Sequence, residues 1–191
     1  LSAKATPSTL ATPATPTAAP GVLDPKELRR TLGTFATGVT VVTTRTTDGT
    51  PVGLTVNSFS SLSLDPPLVL WSLVSSSNSA AAFREASHFA INILSDQQVE
   101  VSQRFASKVP NKFGAVEVGE GVGGSPLITG CAAWFECSTE SMQQAGDHIL
   151  FIGRVQRFSR ADRKPLIFCG GKYLFVDGET DASYLSFGWG G

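Results

Sequence analysis

The sequence predicts a mainly β protein, an antiparallel β-barrel of Greek-key type carrying a few short helices. Three observations predict it. Apolar and β-branched runs of strand length recur along the chain, as at 39–44 and 68–73. Turn signals separate them, among them Asp48-Gly49 and Asp65-Pro66-Pro67. The regular alternation of strands with helices that marks a parallel sheet is absent. Short sequential strands joined by hairpin signals close most economically into a barrel.

The elements follow in chain order. Asp24 reads as a helix N-cap and Pro25 as the first helical residue. Leu28, Leu32, Phe35 and Ala36 share one helical face, so this helix is expected to run until Gly38 stops it. The run 39–44 is a strand, and Asp48-Gly49 turns the chain so that 51–59 returns antiparallel. After the break at Asp65-Pro66-Pro67, 68–73 is a buried third strand. A serine-rich loop, Ser75 to Ser79, leads into a short helix over 80–86 with Asn78 or Ser79 as its cap. Residues 89–94 form a strand, and Asp96 is expected to cap a helix reaching Ser107. Two long strands, 132–142 and 148–159, are joined by 143–147. A last strand over 165–176 is interrupted by Gly170-Gly171.

Composition divides the 191 residues unevenly. Of the first 21 residues, 17 are Ala, Thr, Pro or Ser, so 1–22 is expected to be a disordered leader. It lacks the apolar core of a secretory signal. Residues 177–191 form a polar, Gly-rich tail that carries Tyr184, Leu185, Phe187 and Trp189. One domain, 23–176, is left between them. A charged fraction of 16% and a net charge of -1 leave no basic excess to displace counterions from nucleic acid. No apolar run approaches the ~20 residues of a membrane span. Three cysteines argue against a disulfide framework and fit a cytoplasmic protein.

Several motifs lead nowhere. Gly119 to Gly124 spells G-x-G-x-x-G, but Ser125-Pro126 follows at once and no helix opens there, so it reads as a flexible loop. The cysteines lack C-x-x-C spacing and only two histidines accompany them, which leaves no zinc site. A serine hydrolase would need a nucleophile elbow, and no G-x-S-x-G occurs.

Two polar clusters remain, 55–63 and 72–79, and they flank the apolar strand 68–73. Hydroxyls and free backbone N–H groups suit phosphate and polyol ligands. An apolar slot edged by small hydroxyls suits a planar ring with a ribityl-phosphate tail. Arg104 is the candidate positive charge for that phosphate, and His148, after Gly146-Asp147, is a candidate polar contact.

The blocks LRRTLGTFATGVTVVTT (28–44), PVGLTVNSFSSLSLDPPLVLWSL (51–73), SHFAINIL (87–94), RFAS (104–107), KFGAV (112–116) and GDHILFIGRV (146–155) run in one order. Together they resemble the short-chain flavin reductases, the reductase components of two-component flavin monooxygenases. The resemblance implies an FMN-binding split β-barrel that works as a homodimer. It implies reduction of FMN or FAD by NADH or NADPH, with hydride passing from nicotinamide to flavin, and delivery of the reduced flavin to a partner monooxygenase. By the same resemblance, Thr55, Val56, Asn57 and Ser58 would line the isoalloxazine ring. Ser60, Ser61, Ser76, Ser77 and Asn78 would hold the ribityl chain and phosphate, with Arg104 and Phe105 nearby. His148 would place the nicotinamide, and Tyr173 would lie near the flavin. Val56 stands where alanine is frequent, and 72–77 is unusually serine-rich. A flavin-retaining electron carrier on the same barrel is the alternative reading, and a related barrel binding pyridoxal phosphate or haem is a third.

Overall fold

Asp24 accepts a hydrogen bond from the Lys26 N–H at 2.9 Å, and helix α1 (Pro25–Leu32) starts behind it as the sequence predicts. It ends earlier than the apolar spacing suggests. Gly33 caps it, its N–H bonded to the Arg29 carbonyl at 2.9 Å, so Phe35 lies beyond the helix and is 78% exposed. The computed structural model describes residues 21–176, so residues 1–20 of the expected leader and the whole 177–191 tail lie outside it.

The strands are β1 (Thr37–Gly38), β2 (Thr40–Arg45), β3 (Pro51–Val56), β4 (Ser60–Leu64), β5 (Pro67–Val74), β6 (His88–Ile93), β7 (Val118–Glu120), β8 (Pro126–Ile128), β9 (Ala133–Ala145), β10 (His148–Arg160), β11 (Ile167–Cys169) and β12 (Lys172–Leu174). Two further helices, α2 (Ala80–Glu85) and α3 (Val99–Ala106), complete the set. Seven strands form one antiparallel sheet in the order β3-β2-β6-β9-β10-β5-β4. Its two edge strands, β3 and β4, are consecutive in the chain and separated only by residues 57–59. Three residues cannot span an open seven-stranded sheet, in which neighbours lie about 4.8 Å apart. The sheet must therefore curl into a barrel, split along the line between β3 and β5. Ser58 crosses that line: its hydroxyl donates to the Ser72 carbonyl and accepts from the Ser72 N–H, both at 3.0 Å.

The barrel interior is aromatic. Trp71 stacks on Phe151 with ring centroids 4.5 Å apart and meets Phe83 edge-on at 5.0 Å. Val42, Phe89, Ile91 and Cys137 pack around them. A second core lies outside the wall, where Val39, Val41, Leu94, Phe105, Ile128 and Leu166 pack under α3 and the small β1-β11-β12 sheet. Strand β2 separates the two cores. This is why residues 40–44 are buried on both faces, and why they read as a continuous β-branched run rather than an alternating one.

Besides α1, three segments depart from the sequence-based expectation. Helix α3 starts at Val99, three residues past Asp96, because the Gln98 side chain ties the preceding turn instead. Its carbonyl oxygen accepts from the Ser95 N–H at 3.0 Å and its amide donates to the Thr129 carbonyl at 2.9 Å. The strand expected over 165–176 is a hairpin, with Gly170 (φ +58°) and Gly171 (φ +79°) as its turn. The glycine run 119–124 begins in β7 with Gly119 and Glu120 and turns through 121–124 toward β8. Gly123, at φ +63°, sits where a Cβ would come within 2.4 Å of His88. Gly121 and Gly123 are needed for close packing, a Cβ on Gly121 meeting Glu136 Oε2 at 2.8 Å, so the dinucleotide-like spelling marks a tight turn.

Candidate functional site

The turn 75–79 leaves β5 and enters α2 beside the start of β10. The Ser75 N–H donates to the Asp147 carbonyl at 2.8 Å, and Val74 is the register partner of His148. Gln144 ties the same junction, its amide reaching Ser75 Oγ at 2.8 Å and the His148 carbonyl at 3.0 Å. The Gly146-Asp147 turn and the serine loop, 70 residues apart in sequence, therefore form one corner of the molecule.

A cleft of about 460 Å³ opens at this corner. Its walls include Leu54, Ser76, Ser77, Asn78, Lys108 and Lys112. Phe105 forms its floor and packs so tightly under β3 that a Cβ on Gly53 would meet the ring at 2.7 Å. Lys112 Nζ donates to the Phe105 carbonyl at 2.7 Å and to the Gly53 carbonyl at 3.3 Å. An ammonium has three donors, so one remains for a ligand. Partial burial holds the Lys112 amine below its ordinary pKa, and an anion beside it would oppose that shift.

The expected site residues other than His148 and Arg104 fall into four groups. Ser76, Ser77, Asn78 and Phe105 line this cleft together. Thr55, Val56, Asn57 and Ser58 lie along the barrel split, where three of the four, Ser58 among them through Ser72, are already engaged by a hydroxyl or backbone group. Thr55 Oγ1 donates to the Ser102 carbonyl at 2.7 Å, and the Val56 carbonyl accepts from Thr40 Oγ1 at 3.1 Å. Asn57 is exposed. Ser60 and Ser61 lie on β4, paired with Leu70 and Val69. Ser61 faces a separate apolar trough with Phe59, Leu64, Phe135, Val155 and Phe158, so the structure does not bring it to the cleft of Ser76. Tyr173 stands behind the site, its hydroxyl 2.9 Å from Ser102 Oγ, and supports α3 under Thr55.

His148 lies half-exposed at the rim of the corner. Its Nδ1 is 2.8 Å from Asp147 Oδ1, and this hydrogen bond holds the Asp147 carboxyl below the usual carboxylate range. The contact fixes the ring and leaves Nε2 as the free polar atom. Arg104 is placed differently from the expectation. Its guanidinium reaches the Asn111 carbonyl at 3.4 Å and lines a neighbouring hollow beside Glu100. The positive charges on the cleft come from Lys108 and Lys112 instead. Both stand within or beside blocks the sequence offers, RFAS-Lys108 and Lys112-FGAV. An arginine is the residue usually sought for a phosphate, so the lysines escape notice.

The flavin reductase like domain family matches residues 32–177. This chain belongs to the flavin reductase family. The reductase component of a flavin-dependent trigonelline monooxygenase from Acinetobacter baylyi is 46% identical over 161 residues, 84% of this chain and 52% of that protein. The FMN reductase (NADH) SmoA of Agrobacterium fabrum is 46% identical over 154 residues, 81% of this chain and 87% of its own length. Among solved structures, a Streptomyces globisporus NADH:FAD oxidoreductase in complex with NAD and FAD fragments superposes with a TM-score of 0.78. It is 35% identical, with 84% of this chain and 99% of that one covered. The chain spans about half the length of the Acinetobacter relative and of a Rhizobium meliloti one, at 52% and 49%. The antiparallel split barrel is thus the fold of the family.

Proposed function

We propose that this protein is an NAD(P)H-dependent flavin reductase that reduces FMN or FAD and delivers the reduced flavin to a partner monooxygenase. The observation that carries the reading is the cleft itself. Serine hydroxyls and two lysines meet an apolar floor there, and a histidine held by its neighbouring aspartate stands at the rim. A volume of about 460 Å³ lies within the usual range of cofactor sites. The donor set fits a phosphorylated ribityl chain, and Phe105 and Leu54 fit an apolar ring system.

When bound, the flavin supplies a hydride-accepting centre, so the chain needs no nucleophile of its own. Its residues bind and orient. Ser76, Ser77 and Lys112 anchor a phosphate, and His148 Nε2 offers a hydrogen bond to the carboxamide of a nicotinamide. The Asp147–His148 pair and Gln144 hold that histidine at a fixed distance from the serine loop. Such positioning is what brings two reacting rings to the contact distance of about 3–3.5 Å that hydride transfer requires.

The partner assignment rests on the relatives, whose names include reductase components and subunits of flavin-dependent monooxygenases. A homodimer is part of the same reading. Phe158, 73% exposed, lines the apolar trough with residues of β4, β5, β9 and β10. A two-fold contact would cover the troughs of both copies. Three unpaired thiols and a pyridine-nucleotide reductant fit the cytoplasm.

Anaerobic turnover with each pairing of NADH or NADPH with FMN or FAD tests the proposal. At least one pairing should bleach the flavin absorption in step with nucleotide oxidation. Absence of bleaching in all four would overturn it.

A further inference from the structure

The barrel is fastened along its split by a side chain rather than by a strand. Strand β5 pairs with β10 from Leu68 to Val74, but with β4 only from Pro67 to Leu70, because β4 begins at Ser60. Beyond Leu70 this second edge of β5 has no strand partner among the described residues. Its backbone groups are met in other ways. The Val74 carbonyl accepts from the Ser77 N–H at 3.0 Å. The Ser72 N–H and carbonyl both bond to Ser58 Oγ, each at 3.0 Å, so one hydroxyl stands in for a missing strand residue. No other hydrogen bond among the described residues joins 51–59 to 67–74.

The segment 55–59 is anchored at both ends. Thr55 Oγ1 donates to the Ser102 carbonyl at 2.7 Å and ties β3 to α3. The Phe59 ring packs against the barrel core, 5.7 Å from Phe135. Asn57, between them, is exposed, and Ser58 alone fastens this stretch to β5. A serine hydroxyl has one proton to donate. Ser58 gives that proton to the Ser72 carbonyl, so none is left for the acceptors of a flavin ring. We propose that Ser58 is a positioning residue, whose bond to Ser72 holds the backbone of 55–58 in register with β5 and so fixes the slot for the ring. The inference rests on the proposed flavin reading and changes the part Ser58 plays in it, from a contact of the ring to the fastener of the wall that meets the ring. Losing the hydroxyl leaves two half-buried backbone groups of Ser72 unpaired and frees the two sides of the split to move apart.

The test uses the full chain with Ser58→Ala, which removes the hydroxyl, and Ser58→Thr, which keeps it. Amide hydrogen exchange in the flavin-free protein reads the fastening by itself. Protection of the Ser72 amide should fall about tenfold or more in Ser58→Ala and return in Ser58→Thr. The Trp71 and Leu73 amides face β10 by strand alternation and should stay protected in both, which reports an intact barrel. Titration with FMN and with FAD, followed by flavin fluorescence and by the visible circular dichroism of the bound ring, reads the positioning. Ser58→Ala should weaken binding about tenfold and alter the dichroism of the saturated protein, and Ser58→Thr should restore both. Unchanged Ser72 protection in Ser58→Ala would overturn the fastening. Lost Ser72 protection with wild-type flavin affinity and dichroism would overturn the positioning role, and so would loss of Trp71 and Leu73 protection alongside it, since Ser58 would then hold the barrel as a whole. Failure of the wild type to bind either flavin would overturn the underlying flavin reading and leave the exchange result standing.

Discussion

At the scale of single residues, the site works by fixing groups rather than by activating them. His148 is the clearest case. Its ring is held by Asp147 at 2.8 Å and leaves one nitrogen free for a co-substrate. His148→Ala should raise the KM for NADH about three- to tenfold, the worth of one hydrogen bond of roughly 1 kcal/mol. Flavin affinity, measured by fluorescence titration, should move far less. An equal change in both would contradict the assignment. Glu136 shows the same principle in the scaffold. It is 3% exposed, and its carboxylate takes the Arg157 guanidinium at 2.6 and 2.7 Å and the Val122 N–H at 2.7 Å. The Arg157 hydrogen bonds hold its pKa below the ordinary 4.5. A carboxylate with a depressed folded pKa stabilises fully above its unfolded value and loses that contribution as pH falls through the folded one. Arg157→Ala removes the largest cause of the depression, so acid unfolding followed by circular dichroism should begin at a higher pH than in the wild type. Coincident acid curves would show that the pair does not carry this stability.

At the scale of elements, the sequence is most informative where one local rule decides. Asp24-Pro25 opens α1, and Asp48-Gly49 closes the β2–β3 hairpin, because caps and tight turns depend on a few neighbouring residues. It is least informative where tertiary contacts decide. Gln98 overrides Asp96 at the start of α3 through a bond to Thr129, 31 residues away. Strands β7 and β8, three residues each, carry no periodicity, and buried Asn92 secures them by accepting from the Ile128 N–H at 2.7 Å. The serine loop and His148 are legible from their blocks. Lys108 and Lys112 are not, since only the fold brings 107–112 against 76–79. Gly153 in β10 illustrates packing that sequence cannot disclose. A Cβ there would meet Phe89 Cζ at 2.4 Å and Cys137 Cβ at 3.0 Å, both buried. Gly153→Ala should cost about 1–3 kcal/mol of stability in denaturant unfolding. An unchanged midpoint would mean that the barrel wall yields at little cost.

At the scale of the whole molecule, the barrel is a frame that brings one corner together. Its seven strands return the chain so that the β5–α2 turn, the β9–β10 turn and the end of α3 converge. The near-neutral charge of the chain agrees with that design, since hydroxyls and two lysines at one place replace a basic surface. On the proposed reading, a reductase built this way would hold its flavin through few charged contacts and release it, whereas an electron carrier must retain it. NADH oxidation by the purified protein, measured with and without excess free flavin, separates the two most directly. The account predicts slow oxidation alone and strong stimulation by added FAD or FMN. A yellow protein that keeps its flavin and oxidises no NADH under either condition would contradict it.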